Sequence, residues 1–474
     1  MGQHKDDKKI VWHIMAFMAF STVWGFGNVI NGFSEYGGLK AIVSWILIFA
    51  IYFVPYALMV GELGSAFKDA GGGVSSWINE TIGPKMAYYA GWTYWIVHMP
   101  YISQKPNSTV IAASWALFQD KRASGMNTTV MQILCLFIFL FAMYLSGRGI
   151  RVLKRLAALA GSAMFIMSLL FILMMAGAPF LTEGGLLPVK WSLSSFIPDF
   201  NGGFFLSLSI LVFAVGGCEK ISPYVNKMQD PSRNFAKGMA ALAVMVAVTA
   251  ILGTIALGMM FDSSHIPGDL MTNGAYYAFQ KLGEYYHTGN FFVIIYALTN
   301  LTGQFSVMVL SVDAPLRMLL DSADSRYIPG RMFETNDRGV YVNGHRLVTL
   351  IVCVLIIVPA FGIKNVDVLV RWLVKVNSVC MPLRYLWVFA AYMALKKAGD
   401  SFHAEYRFLK GRRSGMAAGL WCFLFTAFAC LTGIYSEDPF QLALNIATPF
   451  VLVGLGFIMP RLAAGEKKSG EKKS

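Results

Sequence analysis

Charged residues are scarce in this chain. Asp, Glu, Lys and Arg make up 14% of its 474 residues, against about 25% in a soluble domain. That deficit excludes an ordinary water-facing surface over most of the molecule. Acidic residues are the scarcer kind, 26 against 39 Lys and Arg, a formal net charge of +13. The six cysteines, Cys135, Cys218, Cys353, Cys380, Cys422 and Cys430, fall in apolar runs and show no CxxC or metal-ligand spacing. Neither a disulfide framework nor a metal centre is expected. HExxH, GxSxG and P-loop motifs are missing as well, so no enzyme and no cofactor are expected.

What is present is apolar length. Hydrophobic residues reach 56%, gathered into runs at 10–33, 40–65, 84–117, 127–147, 154–179, 203–221, 238–261, 288–320, 347–363, 366–395, 415–434 and 440–461. A spanning helix needs about 20 such residues. The expectation is an all-α membrane protein of about 12 transmembrane helices, with polar loops at 180–202 and 262–287 that have room for short surface helices. Basic residues cluster in alternate short loops, as at Arg148, Arg151 and Lys154, at Lys227, Arg233 and Lys237, and at Lys396, Lys397 and Arg407. Both termini are therefore expected to be cytoplasmic, in a multi-pass protein of the cell (inner) membrane. The same dispersal excludes a nucleic-acid stripe. Residues 1–9 read as a cytoplasmic N-terminus and 462–474, rich in Lys, Glu, Ser and Gly, as a disordered tail. Membrane lipid is the expected surroundings. Oligomeric state stays open, a homodimer included.

Two spans carry glycine where a helix should be continuous. The first reads Ser21-Thr22-Val23-Trp24-Gly25-Phe26-Gly27-Asn28, and the sixth Phe213-Ala214-Val215-Gly216-Gly217-Cys218-Glu219. Either alone could be close helix packing through small residues. Together they occupy corresponding positions in two halves of five spans, about 10–179 and 203–395. That is the pattern of an inverted-repeat transporter with a midplane site between broken helices. A half-helix N-terminus attracts a carboxylate, and freed carbonyls accept from an ammonium group.

These residues resemble a known family. Gly25-Phe26-Gly27 resembles the glycine break of the amino acid–polyamine–organocation superfamily. Glu62-Leu63-Gly64-Ser65-Ala66-Phe67 resembles its second-span signature, with Trp77, Gly83-Pro84 and Gly91-Trp92 similar to the continuation. Glu219-Lys220 and Asp230-Pro231-Ser232-Arg233-Asn234 resemble its pattern after the sixth span. Ala314-Pro315-Leu316-Arg317 and Tyr327-Ile328-Pro329 are most similar to the glutamate/GABA-antiporter branch. The resemblance implies a LeuT-type fold, a 5+5 inverted repeat with broken helices 1 and 6, a ten-helix core over 10–395 and two peripheral helices over 415–461. It also implies alternating access. Two departures stand out. Phe26 replaces the usual serine, and Met164 falls where some members carry a lysine that stands in for sodium. The second departure favours exchange over a built-in proton carrier.

The candidate substrate-binding residues are Thr22, Gly25, Phe26, Gly27, His98, Tyr101, Lys105, Phe213, Ala214, Gly216 and Gly217. Glu219, Phe26, Phe213 and Arg384 are the candidates for coupling or gating. Trp24 and Phe305 read as ordinary packing. Lys105 could bind a carboxylate, pair with Glu219, or snorkel outward. Arg384 lies too deep to snorkel and needs an internal partner, Asp313 or a substrate carboxylate. The leading function is exchange of an amino acid for a related amino acid or amine. Proton-coupled uptake is the alternative, and a channel the alternative of a different class.

Overall fold

The computed structural model describes residues 10–69, 73–147, 151–182, 185–322, 324 and 326–471, so the expected N-terminal stretch 1–9 lies outside the described residues. The side chains of Thr22 and Asp313 lie outside them too. The fold is all-α. Extended pairing among the described residues is confined to three isolated bridges.

The first expected span is two helices, α1 (Trp12–Val23) and α2 (Phe26–Glu35). The second runs through α3 (Ala41–Ile48), a π turn at Phe49–Phe53 and α4 (Val54–Ala66). α5 (Pro84–Ile96) and α6 (His98–Phe118) make the third, followed by α7 (Thr128–Gly147) and α8 (Arg151–Leu181). The sixth breaks in its turn: α9 (Leu208–Val215) stops, and the chain resumes as a 3-10 helix over Cys218–Lys227. α10 (Pro231–Gly258), α11 (Leu270–Tyr285), α12 (Phe291–Ser322) and α13 (Val342–Ile357) follow. The tenth run divides at Met381-Pro382 into α14 (Val366–Cys380) and α15 (Leu383–Ala398). α16 (Arg412–Gly433), α17 (Pro439–Leu455) and α18 (Met459–Glu471) complete the chain.

Ten helical stretches among the described residues are long and apolar enough to cross a membrane. The first and third expected spans are not among them, for physical reasons. The first is cut into two short helices, and the third carries His98, Gln104 and Lys105 in place of apolar residues.

Two expectations need correction. The helix in the stretch 262–287 is not a surface one: α11 packs against α2 and α12, and its polar residues Asn273 and Tyr276 are bonded internally rather than solvated. The tail is not disordered from 462, because α18 continues to Glu471. Glu466 holds that helix to the rest of the protein, accepting from the Gly330 amide at 2.7 Å.

Packing holds the two breaks together. α10 lies across both α1 and α4, and α12 lies across α6 and α8. Gly64 of α4 meets the Phe235 ring at a separation that a Cβ could not share. Next to it, Glu62 is buried against Lys396 of α15, and also accepts from the Phe408 amide at 2.9 Å and the Tyr392 hydroxyl at 3.1 Å. Lys396 donates onward to the Leu409 carbonyl at 2.7 Å. The link between α15 and α16 is thereby strapped across α4. Ile10 pairs in turn with Lys227 and Gln229 by two 2.9 Å backbone bonds, tying the start of α1 to the exit of the 3-10 helix.

Candidate functional site

The four glycines of the breaks serve different ends. At the first break, Trp24 and Gly25 are extended, with φ −115° and −154°, a conformation open to any residue. A Cβ on Gly25 or Gly27 would meet nothing within 4 Å. These two glycines leave space. At the second break, a Cβ on Gly216 would fall within the Tyr385 ring, so this glycine permits a close approach. Gly217 has φ +108°, a conformation that side-chain-bearing residues rarely adopt. Asn28 spans the breaks: its amide nitrogen lies 3.2 Å from the Ala214 carbonyl and 3.4 Å from that of Val23. α2 begins at Gly25 with no side-chain cap.

Between the breaks lies a cavity of about 350 Å³, within the range of small-ligand sites. α1 and α2 supply Trp24, Gly25, Phe26, Gly27 and Asn28; α6 supplies Tyr101, Gln104 and Lys105; α12 supplies Asn300 and Gln304. The sixth span contributes Phe213, Gly216 and Lys220, and α15 contributes Arg384 and Tyr385.

Three cations therefore line one cavity, and they are not equally neutralised. Arg384 is paired. Its Nε lies 3.0 Å from Glu219 Oε1, with the two side chains 1% and 0% exposed. The approach is an ionic contact in which the N–H does not point at that oxygen. The other Glu219 oxygen accepts from the Tyr56 hydroxyl. Arg384 also donates to His98 Nε2 at 3.0 Å and lies over the Tyr94 and Tyr385 rings, 5.1 Å from each centroid. An arginine can only donate. His98 must therefore carry its proton on Nδ1, which meets the Tyr94 carbonyl at 2.6 Å.

Lys105 and Lys220 lack such compensation. Lys105 does not snorkel: it is 9% exposed, donates to the neutral Gln304 at 2.9 Å, and sits 4.1 Å from the Tyr101 ring centroid. Lys220 lies 6.0 Å from the same centroid and has no carboxylate within ion-pair distance among the described residues. The cavity thus holds two lysines that no carboxylate among the described residues neutralises.

The structure brings Gly25, Phe26, Gly27, Tyr101, Lys105, Phe213, Gly216 and Arg384 to the cavity wall. His98, Ala214, Gly217 and Glu219 stand behind it. Both nitrogens of His98 are already engaged. Ala214 faces the site only through its bonded carbonyl, and Gly217 backs onto Lys220 and Arg384. The Phe26 ring packs into a cluster with Phe171 and Phe279, at centroid distances of 4.6 and 5.7 Å. The internal partner expected for Arg384 is Glu219. Sequence reasoning passed over Asn28, Lys220, Gln304 and Tyr385 as site residues. A buried lysine directly after the break was the one available signal.

Comparison with known proteins fits this arrangement. The sequence profile described as amino acid permease matches residues 12–458. The chain is 48% identical to the aspartate/glutamate permease AcaP of Lactococcus lactis subsp. cremoris, over 98% of this chain and 97% of that one. It is 25% identical to the inner membrane transporter YjeM of Escherichia coli, over 88% and 87% of the two chains. It is 22% identical to the glutamate/gamma-aminobutyrate antiporter of Lactococcus lactis subsp. lactis, over 80% and 75%. A profile match over nearly the whole chain and a relative of this similarity establish that the chain belongs to the amino acid permease family, within the amino acid–polyamine–organocation superfamily of membrane transporters.

Proposed function

We propose that this permease carries acidic amino acids, of the aspartate and glutamate class, across the cell membrane by alternating access. The observation that carries the reading is a pair of cavity lysines with no carboxylate partner among the described residues: Lys105 and Lys220 face the cavity, while Glu219 is taken by Arg384. A net-negative amino acid offsets that charge. A neutral one leaves it, and a diamine adds to it. The 48% identical aspartate/glutamate permease supports the same class. In this reading the glycine breaks receive the groups common to all amino acids. The two halves of five spans are an inverted repeat, and both termini face the cytoplasm.

The transport mode we favour is exchange of one amino acid for another. Burying uncompensated charge in a low-dielectric interior is expensive. An empty cavity holding two bare ammonium groups therefore reorients less readily than a loaded one. Proton-coupled uptake is the second reading. In that case a lysine gives up its proton for the empty return.

Reconstituted vesicles decide both questions. Labelled aspartate should enter vesicles preloaded with aspartate or glutamate, and not vesicles preloaded with putrescine. Accumulation in empty vesicles under a pH gradient, at the rate seen with preloading, would replace exchange by uptake. Failure to transport either acidic amino acid would refute the substrate class.

A further inference from the structure

Lys105 and Lys220 come from different spans and meet at one aromatic ring, that of Tyr101. Their surroundings differ in a way that suggests a division of labour. Lys105 is held in place. The amide nitrogen of Gln304 is committed to Asn300 at 2.9 Å, and Asn300 in turn donates to Tyr276 at 2.8 Å. That chain turns the Gln304 oxygen towards Lys105, which donates to it at 2.9 Å. Gln304 fixes the ammonium group without neutralising it, and two of its three donors remain available.

Lys220 is held differently. Its ammonium group has no hydrogen bond or ion pair among the described residues, although its backbone amide donates to the Gly217 carbonyl at 3.1 Å. Its Cε and Nζ lie 3.3 and 3.6 Å from where a Cβ on Gly217 would sit. The lysine folds back over the left-handed glycine, using the space that the missing side chain leaves. Glu219, its chain neighbour, points to Arg384 and Tyr56 instead. A buried ammonium group aimed into a cavity with no counter-charge is costly unless a ligand supplies one.

Resting on the acidic amino acid reading, we infer that Lys220 and Lys105 form the subsite for the substrate's side-chain carboxylate, and that Lys220 is the residue which sets selectivity for it. The α-carboxylate, common to all amino acids, has the uncapped start of α2 available to it. The lysine pair answers only to a second carboxylate. A charge-assisted hydrogen bond forms there on binding, with Lys105 fixed beforehand and Lys220 free to close on the ligand. Asparagine matches aspartate in shape but lacks the charge, so the difference between the two ligands isolates this subsite.

The test is titration calorimetry on the purified full chain with aspartate and asparagine, for wild type, Lys220→Met, Lys220→Arg and Lys105→Met. Lys220→Met should weaken aspartate about 10- to 100-fold, the size of one charge-assisted hydrogen bond. Asparagine affinity should change less than about 3-fold, which also reports that the variant is folded. Lys220→Arg should stay nearer wild type than Lys220→Met does, because it keeps the charge. Lys105→Met should repeat the aspartate-specific loss. An unchanged aspartate affinity in Lys220→Met, or equal losses for both ligands, would overturn the assignment while leaving the substrate class intact. A wild-type chain that binds neither aspartate nor glutamate would overturn the substrate class, and the subsite with it. Should Lys220→Met fail to fold, Lys220→Gln titrated with the same two ligands decides the matter by the same two outcomes.

Discussion

Removing both partners of the Arg384–Glu219 pair should cost the protein far less than the sum of removing each alone. The two side chains are 1% and 0% exposed, and their charged atoms stand 3.0 Å apart. At that distance Coulomb's law gives about 5.5 kcal/mol with an effective dielectric constant of about 20. Desolvation opposes this, so the pair as a whole adds little to stability over an apolar replacement. Breaking it is another matter. Arg384→Met leaves Glu219 buried with the Tyr56 hydroxyl alone. Glu219→Gln leaves the guanidinium with His98, the Tyr385 hydroxyl and two aromatic rings but no anion among the described residues. Each single change should destabilise by about 3–5 kcal/mol. The double change Glu219→Gln with Arg384→Met should recover most of one of those losses, a coupling of about 2–4 kcal/mol. Unfolding in mixed micelles, followed for the four proteins, measures that coupling. Additivity within about 0.5 kcal/mol would mean that the two groups do not act as a pair, and would refute the reasoning.

Further outcomes follow from the packing and the loop charges. Gly216→Ala drives a methyl group into the Tyr385 ring and should destabilise by about 1–3 kcal/mol. Gly27→Ala points into open space within a helix, and should stabilise by up to about 1 kcal/mol while weakening substrate binding; paired unfolding and binding measurements check both, and normal affinity in Gly27→Ala would place the ligand elsewhere. Lys396→Met strands the buried Glu62 and should release the strap over 402–410, read as faster proteolysis within that segment than in wild type. A cysteine added after Glu471 should react with an impermeant label only once the membrane is opened, given the Lys and Arg asymmetry of the loops; labelling in intact cells would invert the topology.

The fold was legible where the sequence breaks its own pattern. Gly25-Phe26-Gly27 and Gly216-Gly217 interrupt apolar runs that need no glycine, and both helices end there. The reason for each glycine was less legible, because it is tertiary. Gly216 answers to Tyr385, which lies far along the chain, whereas Gly25 and Gly27 answer to nothing in the protein. α11 was hidden for a related reason. Its stretch looks like loop because polar residues interrupt it, and nothing local reveals that Asn273 bonds to Trp115 and Tyr276 to Asn300. With the packing of α11 unread, the chain Tyr276–Asn300–Gln304–Lys105 could not be assembled either.

The site's charge balance shows most clearly what one dimension conceals. In the sequence Glu219 and Lys220 are adjacent and opposite in sign, and invite the conclusion that they neutralise each other. In the structure they begin a 3-10 helix. At three residues per turn, successive side chains diverge by about 120°. Glu219 turns to Arg384 and Tyr56, and Lys220 turns into the cavity. That Arg384 needed a buried partner could be argued from its depth in an apolar run. That Glu219 is a partner could not, since it depends on how α15 meets the second break. Once Glu219 is committed, the need of the cavity follows: the same acid that makes the sixth span look neutral leaves Lys105 and Lys220 without an anion among the described residues, and in the proposed reading the substrate brings one.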